Sequence, residues 1–360
     1  MQHSYLLAGI SSGKFFKLLA RNGCSLYPKY LFRILFLIQG SLFASIFNRL
    51  EKRKMENELK TYSMPGDPIF IIGHWRTGTT LLHQLMALDE NLVTPNVLQV
   101  SAPGSFLISE KYYKPVMSKV MKPTRPMDNV KIDVSQPQED EYALIKLTID
   151  SPLEKMIFPK SKKYFLLDAA DFYPKKIDQW ENVFTDFCCR LSFSTGKRLL
   201  LKNPFHSMRI PLLLEMYPNA KFIHIHRHPF EVVPSTIHMW NVVGNENNLK
   251  GKFAKPKPQE VVTVLDRMLI YIQEKLEFVP QNAKIEIGFS ELEKDAVSTI
   301  KKIYNKLELN YSQEFETRIK AWLLKEKSYK KNKYELLESE KEMIKNRMEK
   351  HFIYYNYQSK

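Results

Sequence analysis

The residues in this chain that could do chemistry begin with Gly73-His74-Trp75-Arg76-Thr77-Gly78-Thr79-Thr80. The two glycines stand five apart, the spacing of the phosphate loop G-x-x-x-x-G-K-[ST]. Backbone amides of such a turn, with the N-terminus of a following helix, make an anion cradle. Thr79 and Thr80 add hydroxyl donors. Thr79 stands where that loop has its lysine, and the cation is instead Arg76, inside the turn. A nucleotide kinase or NTPase needs the lysine and a magnesium-holding acid on a neighbouring strand. Leu166-Leu167-Asp168 is a weak candidate for that acid. The loop therefore favours a phosphate-like ligand and disfavours metal-assisted hydrolysis of a nucleoside triphosphate. The plain alternative is a glycine turn in which a threonine caps a helix.

Other reactive side chains are ambiguous on their own. His224 and His226 alternate with Ile223 and Ile225, so they share a strand face and imitate a metal pair. No third ligand is evident, and no metal is expected. Arg227 alone reads as a strand-end surface arginine. Glu139 and Glu141, just after Pro137, read as acids favoured in a first helical turn. His206 alone reads as structural.

The elements that must position these groups alternate. Ile69-Phe70-Ile71-Ile72 is a short unbroken apolar run, the mark of a strand buried on both faces. The glycine loop follows it, then the helical pattern of Leu81 to Met86. Further strands are expected at Leu199 to Leu201, Phe222 to Ile225 and Ile285 to Phe289. Helices are expected around Ile210 to Met216, Glu231 to Met239 and Gln259 to Leu276. This order predicts an α/β fold, a central parallel sheet flanked by helices. In such sheets ligands bind beyond the carboxyl ends of the strands. Residues 110–180 read as a variable cap, and 313–350 as exposed closing helices with Lys and Glu at helical spacing.

Composition bounds the rest. The 360 residues are 44% hydrophobic, enough for one large core with an extension. The formal charge is +15, and residues 1–60 hold ten Lys or Arg against three Glu. That balance suits a nucleotide, a nucleic acid or an anionic membrane surface, or is simply a basic solvated surface. The three cysteines, Cys24, Cys188 and Cys189, form no spaced framework, which points to a reducing, cytoplasmic setting. Leu31 to Phe47 is apolar but broken by Arg33, Gln39, Gly40, Ser41 and Ser45. It reads as too short and polar to span a membrane, and as an amphipathic helix that packs on the domain or lies on a membrane surface. The division expected is a helical N-terminal extension, residues 1–64, and a main domain, residues 65–360.

At this point the chain resembles a known family. Pro68 to His83, including the glycine loop, is similar to the 5′-phosphosulfate loop of sulfotransferases that use 3′-phosphoadenosine 5′-phosphosulfate (PAPS). It is nearest to a microbial branch with Arg where the animal cytosolic enzymes have Lys. Phe222 to Ser235 resembles the family's 3′-phosphate segment, in which a strand ends in Arg-x-Pro and a serine follows eight residues after the arginine. Arg227 and Ser235 hold those places. Three weaker matches are Leu201 to His206, a strand end with Lys202; Ile287 to Leu292, where Phe289 takes the place of an adenine-stacking aromatic; and the segments Arg125 to Asp128 and Pro137 to Glu141. The resemblance runs from about residue 65 to the C-terminal helices and implies a P-loop-like sulfotransferase fold.

What the resemblance implies is metal-free sulfuryl transfer from PAPS to an acceptor hydroxyl. His74, Trp75, Arg76, Thr77, Gly78, Thr79, Thr80, Arg227, Ser235 and Phe289 would hold the nucleotide. Negative charge grows on the bridging oxygen, so cations must face it, and Arg76 and Lys202 are the candidates. The acceptor proton needs a base within hydrogen-bond reach. Glu139, Glu141 and His206 compete, with Glu141 favoured because it lies deeper in the helix, where burial would raise its pKa. Phe106, Tyr112, Tyr113, Phe158 and Phe165 could line an apolar pocket for a lipophilic alcohol such as a sterol or other lipid. A carbohydrate hydroxyl is the main alternative. Beyond sulfuryl transfer, a kinase or NTPase, or a basic protein binding membrane or nucleic acid, are the remoter readings. A small-molecule acceptor is expected and a nucleic acid is not, with peripheral membrane contact open to the N-terminal helix.

Overall fold

The computed structural model describes residues 6–23, 28–120, 124–125, 127–128, 133–163, 168–326, 332 and 334–358. Cys24, Pro126, Phe165, Leu166 and Leu167 lie outside the described residues.

The chain opens with α1 (Ser12–Arg21) and a long α2 (Leu31–Thr61). Next come β1 (Ile69–Ile72), α3 (Thr79–Met86), β2 (Leu92–Val93), α4 (Val97–Ser101), α5 (Phe106–Val120), α6 (Glu141–Thr148), α7 (Glu154–Ile157) and α8 (Ile177–Phe193). The second half holds β3 (Arg198–Lys202), α9 (Ile210–Met216), β4 (Lys221–His226), α10 (Pro229–Asn247), α11 (Pro258–Leu276) and β5 (Lys284–Gly288). It closes with α12 (Phe289–Lys294), α13 (Ala296–Lys306), α14 (Gln313–Lys325), α15 (Glu338–Arg347) and α16 (Glu349–Tyr354).

The five strands form a parallel sheet in the order β2-β3-β1-β4-β5. β1 sits at its centre, with Phe70 level with Leu201 on β3 and Phe222 on β4. Its four side chains are fully buried because helices cover both faces. Phe70, Ile72, Leu199, Leu201 and Phe222 pack against α8 and α9. Ile69, Ile71, Leu200, Ile223 and Ile225 pack against α3, α13 and α14. Each such side chain contributes roughly 1.5–3 kcal/mol on burial, so this double-sided strand fixes the sheet's centre. The pattern explains why the run showed no polar alternation. Phe289, expected as the end of the last strand, instead opens α12. β2 has only two residues, too few for a periodic signal.

A third cluster of buried residues joins the N-terminal segment to the cap. Leu6, Leu7, Ile10, Phe15, Leu18, Ile34 and Leu37 pack together with residues of α7, α10 and α11. α2 is anchored along its inner face by Ile34, Leu37, Ser41, Ala44 and Glu51. Glu51 pairs with Arg190 of α8 at 2.5 Å and accepts from the Ile108 amide. One expectation about this helix is corrected. It runs past the polar interruptions to Thr61, and the stretch Pro28–Thr61 is long and apolar enough, by length and composition, to cross a membrane.

Candidate active site

The loop between β1 and α3 is held from within. Gly73 donates its amide to Ser207 Oγ at 2.9 Å. The Thr77 hydroxyl donates to the His74 carbonyl at 2.7 Å, which closes the turn. Two glycines are required by close approach. A Cβ on Gly73 would meet the Ile225 carbonyl oxygen at 2.5 Å, and one on Gly78 would meet the Phe289 ring at 2.2 Å. Both have positive φ, 143° and 103°. Arg76 also lies in the left-handed region, at φ 69°. A non-glycine residue holds that conformation only where its surroundings over-determine it. Here they do: Arg76 Nε donates to Ser235 Oγ at 2.9 Å and Nη1 to Asp128 Oδ2 at 2.6 Å.

The carboxyl ends of β1 and β4 and the start of α12 thus converge. The Arg227 guanidinium lies 4.2 Å from the Phe289 ring centre and reaches the Arg76 carbonyl at 3.4 Å. Its Nε donates to Glu231 at 2.6 Å. Asp128 binds Arg125 as well as Arg76. Burial alone would push the Asp128 carboxyl up, but the two guanidiniums hold it below its ordinary value.

These groups line a cavity of about 1130 Å³. Trp75, Arg76, Gly78, Thr79, Thr80, Glu139, Arg227, Ser235 and Phe289 all face it. Thr79 and Thr80 open α3, so the helix's first amides point the same way. Lys202 reaches the cavity wall through Glu139, with Nζ 2.5 Å from Oε1. Burial lowers the Lys202 pKa, partly offset by that carboxylate.

Of the remaining expected residues, His74 and Thr77 lie behind the wall. His74 is fully buried with Nδ1 on the Trp75 carbonyl, and burial lowers its pKa to about 4. Thr77 braces the turn instead of facing the cavity. Trp75 meets Phe172, Phe205 and Trp240 edge-to-face.

The preference for Glu141 as a base is corrected by geometry. Glu141 is fully buried, held by Arg209 at 2.7 and 3.2 Å and by the Asn203 amide at 2.8 Å. Burial favours its neutral form, but Arg209 wins and its pKa falls, opposite to the expected direction. His206 is also fully buried, with Nε2 2.7 Å from Asp140 and its ring against Phe70 and Phe184. Neither lines the cavity.

The aromatic lining is corrected too. Phe106 and Phe158 are core residues, and Tyr112 and Tyr113 lie against Phe47 of α2. The apolar part of the cavity lining comes instead from Leu6, Val100, Met117, Met156, Met239 and Val243. Methionine and valine carried no pocket signal in the sequence, because the same residues fill ordinary cores. Lys146 was also missed. It lines the cavity with Nζ on the carbonyls of Val100 and Tyr142, at 2.8 and 2.7 Å, and burial lowers its pKa to about 7.

His224 and His226 are engaged elsewhere. His224 Nδ1 lies 2.6 Å from Glu286, and His226 bonds the Tyr357 hydroxyl at 2.5 Å while stacking on Tyr355.

Comparisons with known proteins agree on one family. The model of a family described as the sulfotransferase family matches residues 68–313. Two curated proteins, both named omega-hydroxy-beta-dihydromenaquinone-9 sulfotransferase Stf3, come from Mycobacterium bovis and Mycobacterium tuberculosis. Each is 29% identical over 342 residues, covering 94% of this chain and 88% of theirs. The crystal structure of sulfotransferase STF9 from Mycobacterium avium matches with a TM-score of 0.72 at 15% identity, covering 96% of this chain and 91% of that one. Sulfotransferase STF1 from Mycobacterium tuberculosis matches at 0.60 and 17% identity, covering 94% and 87%. These structures share the fold.

Proposed function

This chain belongs to the sulfotransferase family, and we propose that it moves a sulfuryl group from PAPS to the hydroxyl of a lipophilic alcohol. The observation that carries this reading is the continuity of the cavity. Arg76, Thr79, Thr80, Arg227 and Ser235 line the same cavity as an apolar set of Met, Val and Leu.

PAPS would supply an activated sulfuryl group on a phosphosulfate bridge. The α3 N-terminus and Thr79 and Thr80 suit its 5′ end, Arg227 and Ser235 its 3′-phosphate, and Phe289 its adenine. Arg76 and Lys202 are the cations for the charge that grows on the bridging oxygen. Among the three candidate bases, the geometry supports Glu139, the one that opens to the cavity. Its carboxylate would take the acceptor proton as the acceptor oxygen bonds to sulfur and the bond from sulfur to the bridging oxygen breaks, releasing adenosine 3′,5′-bisphosphate. Lys202, in contact with that carboxylate, keeps base and cation at one point. Asn203, Asp140 and Arg209 act behind them as positioning residues.

A lipophilic acceptor is supported by the apolar residues of the cavity lining, Leu6, Val100, Met117, Met156, Met239 and Val243. It also fits the two relatives, whose names state a menaquinone derivative as acceptor. An acceptor of this kind partitions into membranes, in keeping with peripheral contact through α2 and the +15 charge. The test is titration calorimetry with adenosine 3′,5′-bisphosphate in the absence of magnesium. Tight binding with ATP much weaker supports the reading; preference for ATP with a strict magnesium requirement refutes it.

A further inference from the structure

We infer that the outer face of α2 docks on an anionic lipid bilayer, and that the acceptor reaches the cavity from that bilayer. This rests on the acceptor being a lipophilic alcohol.

The inner face of α2 is occupied by its own protein, through Ile34, Leu37, Ala44 and the Glu51–Arg190 pair. The outer face is apolar and bare. Phe32, Leu35, Phe36, Leu42, Phe43, Ile46 and Leu50 are all about half exposed or more, and Phe32 is 88% exposed. From Phe32 to Leu50 the stripe runs about 27 Å at the helix rise. Exposed apolar groups of this extent mark an interaction surface, since single scattered ones would not align. A spanning helix would have to abandon the buried inner contacts, so the helix lies along the membrane.

Charge selects a bilayer as the occupant. Arg49, Lys52, Arg53 and Lys54 are exposed at the end of the stripe, and Lys29 precedes it. Lys111, Lys114 and Lys119 are exposed on α5, which packs on α2. Apolar residues ringed by Lys and Arg match an acyl layer beneath anionic headgroups.

The same elements meet the cavity. Leu6 lines it and leads into α1, which packs on α2. Met117 of α5 lines it, while its neighbour Val116 is 59% exposed. Leu6 and Met117 therefore join the cavity lining to the segments that pack on α2, the side from which a long-chain alcohol in the bilayer would enter.

The test uses the full chain and vesicles of phosphatidylglycerol and phosphatidylcholine in equal parts, with pure phosphatidylcholine as control. The wild type should co-sediment with the mixed vesicles and bind the control weakly. Phe36→Glu with Phe43→Glu should abolish sedimentation. Arg53→Glu with Lys54→Glu should weaken it by about thirtyfold or more, as expected for the loss of two basic contacts. Transfer to hexadecanol held in the mixed vesicles should fall in step, while transfer to dissolved hexanol stays unchanged. Wild-type sedimentation that ignores phosphatidylglycerol, or glutamate variants that bind like the wild type, would overturn the proposal. So would a dimer in sedimentation velocity that Phe36→Glu with Phe43→Glu disperses, since the stripe would then cover a second copy. Vesicle binding as expected with no transfer to either alcohol would uphold the docking face and sink the acceptor reading.

Discussion

Glu139 Oε1 lies 2.5 Å from Lys202 Nζ at the cavity wall, whereas Glu141, two residues on, is turned inward onto Arg209. The two carboxylates therefore have opposite tasks. Glu139→Gln should lower kcat at least ~100-fold with the nucleotide still bound, the usual cost of losing a general base. Steady-state rates beside calorimetry check this. A near-normal rate in Glu139→Gln would remove Glu139 from the mechanism.

Glu141→Ala should act on folding. It leaves Arg209 buried without its carboxylate, which costs about 3–5 kcal/mol. Urea unfolding should show that loss in the midpoint. A variant with wild-type stability would mean that the buried pair carries no structural weight.

The two arginines of the cradle should separate kinetically. In the proposed function Arg227 faces a phosphate that reaction leaves unchanged, so Arg227→Ala should raise the nucleotide KM with little change in kcat. Arg76 is proposed to meet charge that grows in the transition state, so Arg76→Ala should cost about 10²–10³ in kcat. Equal KM effects with unchanged kcat in both would contradict the assignment of Arg76.

Gly78→Ala should weaken nucleotide binding by tenfold or more, since residues held in such backbone regions carry of order 1–3 kcal/mol of strain. Its Cβ would press within 2.2 Å of the Phe289 ring, at a φ of 103°. Calorimetry with adenosine 3′,5′-bisphosphate reads this directly, and unchanged affinity would show that the loop tolerates a different shape.

Lys146 gives a pH signature. Burial lowers its pKa from 10.5 to about 7. Between those values the unfolded chain holds a proton that the folded chain lacks, so stability rises with pH across that window. The contribution is present above the ordinary value and lost as pH falls through about 7. Lys146→Met should flatten that rise in urea midpoints measured across the window. Parallel curves for the two proteins would contradict it.

The sheet was legible because its strands are buried on both faces, and Ile69 to Ile72 can be little else. The turn between β1 and α3 was legible because Gly73 and Gly78 stand at a spacing that close approach dictates. What escaped was decided by partners distant in sequence. Nothing near Glu141 announces Arg209, and nothing near Glu139 announces Lys202. Depth in a helix suggested Glu141 as the buried base, but the deeper position met a guanidinium instead of the cavity. The acceptor wall escaped because Met117, Met156 and Met239 look like any core residues until a cavity lies beside them. The apolar stretch of α2 was read as ending at Phe47, where the charged residues begin, but the helix continues to Thr61.

The most direct measurement is transfer of radiolabelled sulfuryl from PAPS, without added metal, to a panel of long-chain alcohols, sterols, phenols and glycans. The account predicts label on a lipophilic alcohol, and loss of that label in Glu139→Gln and Arg76→Ala. Label on glycans alone would contradict the acceptor assignment. No label on any acceptor, together with failure to bind adenosine 3′,5′-bisphosphate, would contradict the proposed donor itself.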